Sequence, residues 1–234
     1  MKKTYFLFLI LIIPYLFFGC KNKLNETMQE KISEVRYNLF AVKTDEIDVK
    51  FTSGFRENPY VLNGKSENKK EFGILTVKFL NENFDKTTLP SFVITISDMD
   101  FDGELELNPF DQTYVQDIET FVMDDLPSIS LTISWQNFSF SGELKNVSKN
   151  FTCNHSKALN IFVNEFKKEI LSLQKEGKDF EVYIKIINDP SFEIDKDYFY
   201  VCLISNAGDS FSIIIDPYSS QILAKNQSKN QVIL

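Results

Sequence analysis

The spacing of apolar residues changes once along this chain, at Asn154, and that change constrains the fold more than any other feature. Before it, apolar and polar residues alternate, the period of a half-buried strand. Val35, Tyr37 and Leu39 fall on one side of the first such run, Arg36 and Asn38 on the other. The alternation predicts strands at 34–43, 47–51, 72–80, 91–97, 128–135 and 138–144, with 114–123 open between strand and helix. Thr44-Asp45-Glu46 reads as a hairpin turn, and 52–70 as a loop around Gly54, Pro59 and Gly64. After Asn154, Leu159, Phe162, Val163, Phe166, Ile170 and Leu173 recur mostly at steps of three and four, one stripe of a single helix. Asn154 or Ser156 can cap its start and Gly177 can end it. Strands follow at 180–187, 198–205 and 210–216, with a turn at 206–209 and a short edge at 221–224. The expected class is α+β. An antiparallel β-sandwich-like domain covers 32–150, a helix with a three- or four-stranded antiparallel sheet covers 154–225, and 226–234 is a tail.

The β region contains an echo. Phe101-Asp102-Gly103-Glu104-Leu105 returns as Phe140-Ser141-Gly142-Glu143-Leu144, each preceded by Thr-Ile-Ser. If the glycines mark turns, side-chain parity selects between turn lengths. A two-residue turn would oppose Asp100 to Leu105, whereas a three-residue turn opposes Phe101 to Leu105, Met99 to Leu107 and Phe140 to Leu144. The longer turn is expected, with glycine in the left-handed position. It also opposes Asp100 to Glu106, a like-charge pair that a cation or water would relieve.

The first twenty residues carry an address. Lys2 and Lys3 precede an apolar core from Tyr5 to Phe18, which ends on small Gly19 before Cys20. The core is short of the roughly 20 apolar residues that span a bilayer, and Pro14 interrupts it. The reading is an export signal over 1–19, then a polar tether over 20–31. Past residue 20 there remain 23 basic and 33 acidic side chains, a net charge of −10. That charge repels phosphate backbones and argues against a nucleic-acid partner.

Leu16-Phe17-Phe18-Gly19-Cys20 resembles the signal of bacterial lipoproteins, in which an apolar run and a small residue precede the cysteine that takes the lipid. Phe17 stands where that family usually has Leu. The resemblance implies acyl chains such as palmitate on Cys20, each buried methylene adding about 0.8 kcal/mol of membrane affinity. The whole chain is similar to small lipoproteins of low-GC Gram-positive bacteria. A second resemblance rests on Asp216-Pro217-Tyr218-Ser219-Ser220-Gln221-Ile222-Leu223. It is to the helix-plus-sheet modules of exported proteins, the PepSY type and its cystatin-like relatives, with Ser220 in place of their glycine. It covers about a third of the chain and implies a binding or inhibitory module.

Few residues invite chemistry. Asp98, Asp100 and Asp102 have the spacing of a calcium loop, but Pro109 holds the position where its bidentate acid belongs. His155 is the single histidine, so multi-histidine zinc sites are excluded and no triad can avoid it. Cys153 beside it lacks an orienting third group. Cys153 and Cys202 are a disulfide candidate, or two buried thiols. Ser66 with Lys69, and Ser172 with Lys175, match a short serine-enzyme motif that lacks its partners. No glycine-rich phosphate loop or dinucleotide fingerprint occurs, so no cofactor is expected. Arg56-Glu57-Asn58-Pro59-Tyr60 offers ligand-recognising side chains, or an Arg56 spent on Tyr60 or on a nearby acid. The expectation is a non-enzymatic surface lipoprotein, anchored through lipid on Cys20 at the outer face of the bacterial membrane. Its partner would be a protein, a peptide or a wall ligand. The alternatives are an extracytoplasmic hydrolase with an acidic site and a calcium-stiffened adhesion module.

Overall fold

The computed structural model describes residues 24–80, 87–119, 126–188 and 196–229. Residues 24–30 form a helix, α1. The all-β stretch then comprises β1 (Ile32–Lys43), β2 (Ile47–Glu57), β3 (Lys69–Phe79), β4 (Ser91–Ile96), β5 (Met99–Glu104), β6 (Glu106–Asn108), β7 (Thr113–Glu119), β8 (Ser128–Trp135) and β9 (Phe138–Asn146). A 3₁₀ turn at Val147–Asn150 leads to helices α2 (His155–Glu165) and α3 (Lys167–Lys175). Four strands close the chain: β10 (Phe180–Asn188), β11 (Asp197–Ser205), β12 (Ser210–Ile215) and β13 (Ile222–Ser228). The class is α+β, and every pairing is antiparallel except that of β1 with β10.

One strand organises the molecule. On one side β1 pairs with β2 along most of its length. Its other side has two partners in succession: β10 at Ile32 to Val35, then β9 at Phe40 and Ala41. From that fork the sheet continues two ways. One branch is β10-β11-β12-β13, with the helices packed on one face. The other is β9-β8-β4-β5, and β5 runs through Leu105 into β6, which rejoins β7, β3 and β2. The pairings, completed by the chain itself as it passes from β5 to β6, thus enclose a core that includes Phe40, Phe51, Leu75, Ile94, Ile133 and Leu144. The second core holds Met28, Leu39, Phe162, Phe180, Phe199 and Phe211 under the helices. Because successive side chains in a strand point opposite ways, Leu39 enters one core and Phe40 the other.

Several expectations need correction. Asp102-Gly103 and Ser141-Gly142 lie inside strands, not turns. The hairpins close on two residues, Ser97-Asp98 and Gln136-Asn137. Ser97 and Asp98 have φ of 47° and 67°, the pair of left-handed residues that a twist-matched hairpin turn requires. Phe101 therefore faces Ile94, and Asp100 faces Thr95, whose hydroxyl donates to its Oδ1 at 2.6 Å. Asp100 does not meet Glu106, which lies across from Val115. The parity argument failed because apolar partners came from the preceding strand. The glycines admit rings instead. A Cβ on Gly103 would lie 3.2 Å from Phe92 Cε1, and one on Gly142 2.9 Å from Phe140 Cζ.

The loop read over 52–70 is shorter, because β2 continues to Glu57 and β3 begins at Lys69. Gly54 sits inside β2, opposite a bulge in β1 between Arg36 and Asn38. A Cβ there would come within 1.8 Å of the Val35 carbonyl oxygen, so the close approach of two backbones requires glycine. The predicted single helix is two, broken at Phe166, whose φ of −105° and ψ of 25° leave helical geometry. Asn154 caps α2 by accepting from Lys157 N at 2.9 Å. Gly177, at φ +68°, ends α3: its N–H donates to Gln174 O, and Lys178 N–H to Leu173 O. Residues 24–30, read as tether, belong to the fold, since Met28 is fully buried. Residues up to Ser228, read as tail, extend β13.

Candidate functional site

A groove lies beside the far end of β1, where β9 has joined. It is bordered by Val147 of the 3₁₀ turn, Lys196 and Asp197 at the start of β11, and Tyr218 after β12. Ala41 and Val42 line it from β1, with Lys43, Asp48 and Lys50 from the β1–β2 hairpin. Its volume is about 440 Å³, within the range of small-molecule sites. Lys50 reaches across Ala41's strand to Asp197, Nζ to Oδ1 at 2.7 Å, with both side chains largely buried. Lys43 and Asp48 are cross-strand neighbours. The Tyr218 ring stands edge-on to Phe151 at 5.3 Å. Burial, and then the charges of Asp197 and Asp216, push its phenol above the ordinary value. Opposed charges, one phenol and a small apolar floor make a surface suited to holding a polar ligand. Among the described residues no histidine, cysteine or serine lines it, and its polar groups come from lysine, aspartate and tyrosine.

A second polar locus lies at the other end of β1. Glu181, fully buried in β10, accepts from Ser33 Oγ at 2.7 Å and from Asn63 N at 3.1 Å. Tyr183 Oη lies 3.2 Å from its Oε2 and 2.6 Å from Tyr60 Oη. Burial, then the Tyr60 hydroxyl and the Glu181 charge, drive the Tyr183 phenol far above its ordinary range. This network fastens the 58–68 loop to the sheet. Lys31 adds a further tie, donating to Gly64 O at 2.7 Å.

The residues singled out from the sequence are dispersed. Cys20 lies outside the described residues. Asp100, Asp102 and Glu104 share the exposed face of β5, and Asp98 is in the turn before it. Among the described residues no three His, Cys, Asp or Glu side chains gather around a common point. Arg56 is spent on Asp117 at 2.9 Å and on the Phe72 ring at 4.5 Å. Tyr60 contacts Tyr183 instead. Cys153 and Cys202 are both buried thiols, not a disulfide. Cys153 lies in the helix-side core, whereas Cys202 alternates with Val201 and Leu203 and takes the sheet's opposite face. Burial raises the pKa of both, which makes them poor nucleophiles. His155 packs on Tyr37 at 5.4 Å, and burial lowers its pKa, which disfavours the charged form. Ser172 donates to Glu176 at 2.7 Å and does not serve Lys175.

In the segment behind the PepSY-type resemblance, Asp216 accepts from Tyr218 N and Ser219 N at 2.8 Å each. Burial pushes that carboxyl up, but these N–H groups outweigh it and hold its pKa below the usual value. Ser220 has φ of +63°, a left-handed conformation that favours glycine. The groove itself was not legible in the sequence, because its lining is drawn from positions more than a hundred residues apart. Glu181 left one signal, a lone acid inside the run Phe180-Glu181-Val182-Tyr183. Comparison of the chain with protein-family models, with curated proteins and with solved structures finds no match.

Proposed function

We propose that this protein is a lipoprotein held at the outer face of a bacterial membrane by acyl chains on Cys20, with a body that binds a ligand and performs no catalysis. For place, the supporting observation is the apolar run that ends at Gly19-Cys20. Leu24 already packs into the helix-side core four residues later, so the anchor would hold the body close to the bilayer. The groove suits presentation to a protein, peptide or wall ligand. From Ile32 to Ala41, β1 spans about 30 Å at 3.3 Å per residue, so an anchor on the Ile32 side would leave the groove accessible to a partner. The two cores support an organisation into a sandwich-like β unit over 32–150 and a helix-plus-sheet unit over 154–225, sharing β1. The second unit's helix and meander also agree with a PepSY-type or cystatin-like binding module.

The observation that supports binding over catalysis is the pairing of charges within the groove, with Lys50 held by Asp197 at 2.7 Å. The anchor is tested by the intact mass of protein extracted from its own membrane. Loss of residues 1–19 and a diacylglycerol on Cys20 is the expected result. An unmodified amino terminus at another position would overturn the assignment.

A further inference from the structure

The segment between β2 and β3 folds over the Ile32 end of the sheet and is tied down at several points. Asn58 N–H donates to Asn68 O at 3.3 Å, Ser66 N–H to Glu30 O at 3.4 Å, and Lys31 Nζ to Gly64 O at 2.7 Å. Beneath it lies Glu57, the last residue of β2, only 6% exposed. Glu57 Oε1 accepts from Glu67 N at 3.2 Å. Its Oε2 is buried and has no hydrogen-bond partner among the described residues, and the same is true of Ser66 Oγ. Ser66 directly precedes Glu67, whose N–H holds the carboxylate, so the hydroxyl and the carboxylate are near neighbours that do not bond each other. A buried carboxylate is costly unless its charge is balanced and its lone pairs are used. Lys69 stands opposite Glu57 in the β2–β3 register, but its ammonium lies over the Phe55 ring at 5.2 Å. No lysine or arginine among the described residues forms an ion pair with Glu57.

We propose that Glu57 Oε2 and Ser66 Oγ hold a hard metal cation, of the class of sodium or calcium, that pins the 58–68 segment to the end of β2. Three occupants compete for the two oxygens. A proton on Oε2 would create a buried O–H without an acceptor, because the Ser66 hydroxyl is out of bonding range. A water would satisfy both oxygens but leave the charge unbalanced. A cation uses the lone pairs and balances the charge together. Both donors are oxygen, the preference of alkali and alkaline-earth ions. With a single carboxylate the charge count is low, which sets a weak site, with Kd of about 10⁻⁴ to 10⁻³ M or higher. The site is separate from the groove at the other end of β1, and from Asp98, Asp100 and Asp102 on the β4–β5 hairpin.

The test uses the full chain in mild detergent, cleaved by a lysine-specific protease in sodium, calcium or choline chloride at equal ionic strength. Exposed Lys65 lies within the segment, and exposed Lys175 at the end of α3 serves as the internal control. Cleavage after Lys65, read by mass spectrometry against cleavage after Lys175, should slow by about tenfold when sodium or calcium stands at ten times its half-saturating concentration. The reason is that only the closed segment binds the ion. The two arms separate a singly from a doubly charged occupant. Glu57→Gln keeps an oxygen for Glu67 N–H and removes the charge, so it should abolish the ion dependence, whereas Asp100→Asn should preserve it. Ser66→Ala should raise the half-saturating concentration severalfold, and it serves as the deciding variant if Glu57→Gln does not fold. Equal cleavage in all three salts would overturn the proposal and leave a bridging water as the occupant. So would an ion dependence that survives in Glu57→Gln, or a half-saturating concentration that Ser66→Ala leaves unchanged.

Discussion

Single side chains set the pH response and the local rigidity. His155 is half-buried, and burial lowers its pKa, so the unfolded chain takes up the proton first. Below the unfolded value of about 6.5 the unfolded state binds more protons than the native one, so stability falls as pH falls through that value. His155→Phe, which keeps a ring against Tyr37, should flatten the urea midpoint between pH 7 and about 5. An unchanged slope would show that another group governs that window. Glu34 acts lower down. Burial raises its pKa, but Arg36 and Lys185 outweigh that and bring it below the ordinary carboxyl value. Its stabilisation is complete above that ordinary value and is lost as acid takes the pH through the lowered one. At Glu181, replacement by Gln would put an amide donor where Ser33 and Asn63 N–H now donate to oxygen. The expected loss is about 1 to 3 kcal/mol, with faster proteolysis in the 58–68 loop than elsewhere. Cleavage at the wild-type rate would mean that the network does not hold the loop. The isolated acid in strand β10 was readable as an oddity, but its partners come from two other parts of the chain and were not.

Among the elements, the local signals were largely in the sequence and the pairings were not. Asn154 and Gly177 bound the helical segment as their chemistry predicts, and the positions of β8, β10, β11 and β12 follow from alternation and turn residues. Glycine was the misleading signal. At Gly103 and Gly142 it was read as a turn residue, when it makes room for an aromatic ring. The two roles predict different costs. Gly177→Ala meets nothing within 4 Å and carries only the strain of a left-handed residue, about 1 kcal/mol. Gly54→Ala drives a methyl into the Val35 carbonyl and should cost about 4 kcal/mol or more. Chemical denaturation of the pair checks the ranking, and equal losses would contradict the close approach at the β1 bulge. The side-by-side hairpins β4–β5 and β8–β9 give the sequence echo a structural meaning. Phe101, Gly103 and Leu105 hold the same places after their turn as Phe140, Gly142 and Leu144 after theirs.

Across the whole molecule, β1 joins the two cores, and that arrangement predicts shared fate. Leu39→Ala and Phe40→Ala remove adjacent side chains from different cores, each at about 2 to 5 kcal/mol. Each should shift one common unfolding transition, followed by the single buried Trp135 and by far-ultraviolet dichroism alike. Two separated transitions would show that the halves unfold independently. At the same scale, Cys20→Ser should release the protein from membranes, since an acidic body has no charge attraction for anionic lipid. Full retention of that variant would remove the case for a lipid anchor. The sequence by itself determined the α+β class, the change from strands to helix at Asn154 and the helix caps, because these depend on neighbours within a few residues. It also carries the signal-like run before Cys20. Only the tertiary structure decided which strands meet: that β1 serves both cores, that β5 passes into β6 to close a ring, and that a groove opens beside the far end of β1. Alternation states that a strand has a buried face, but backbone hydrogen bonds are the same for every partner. The choice among partners therefore falls to long-range packing, such as Phe51 against Gly73 and Leu39 beneath the helices, which no local pattern records.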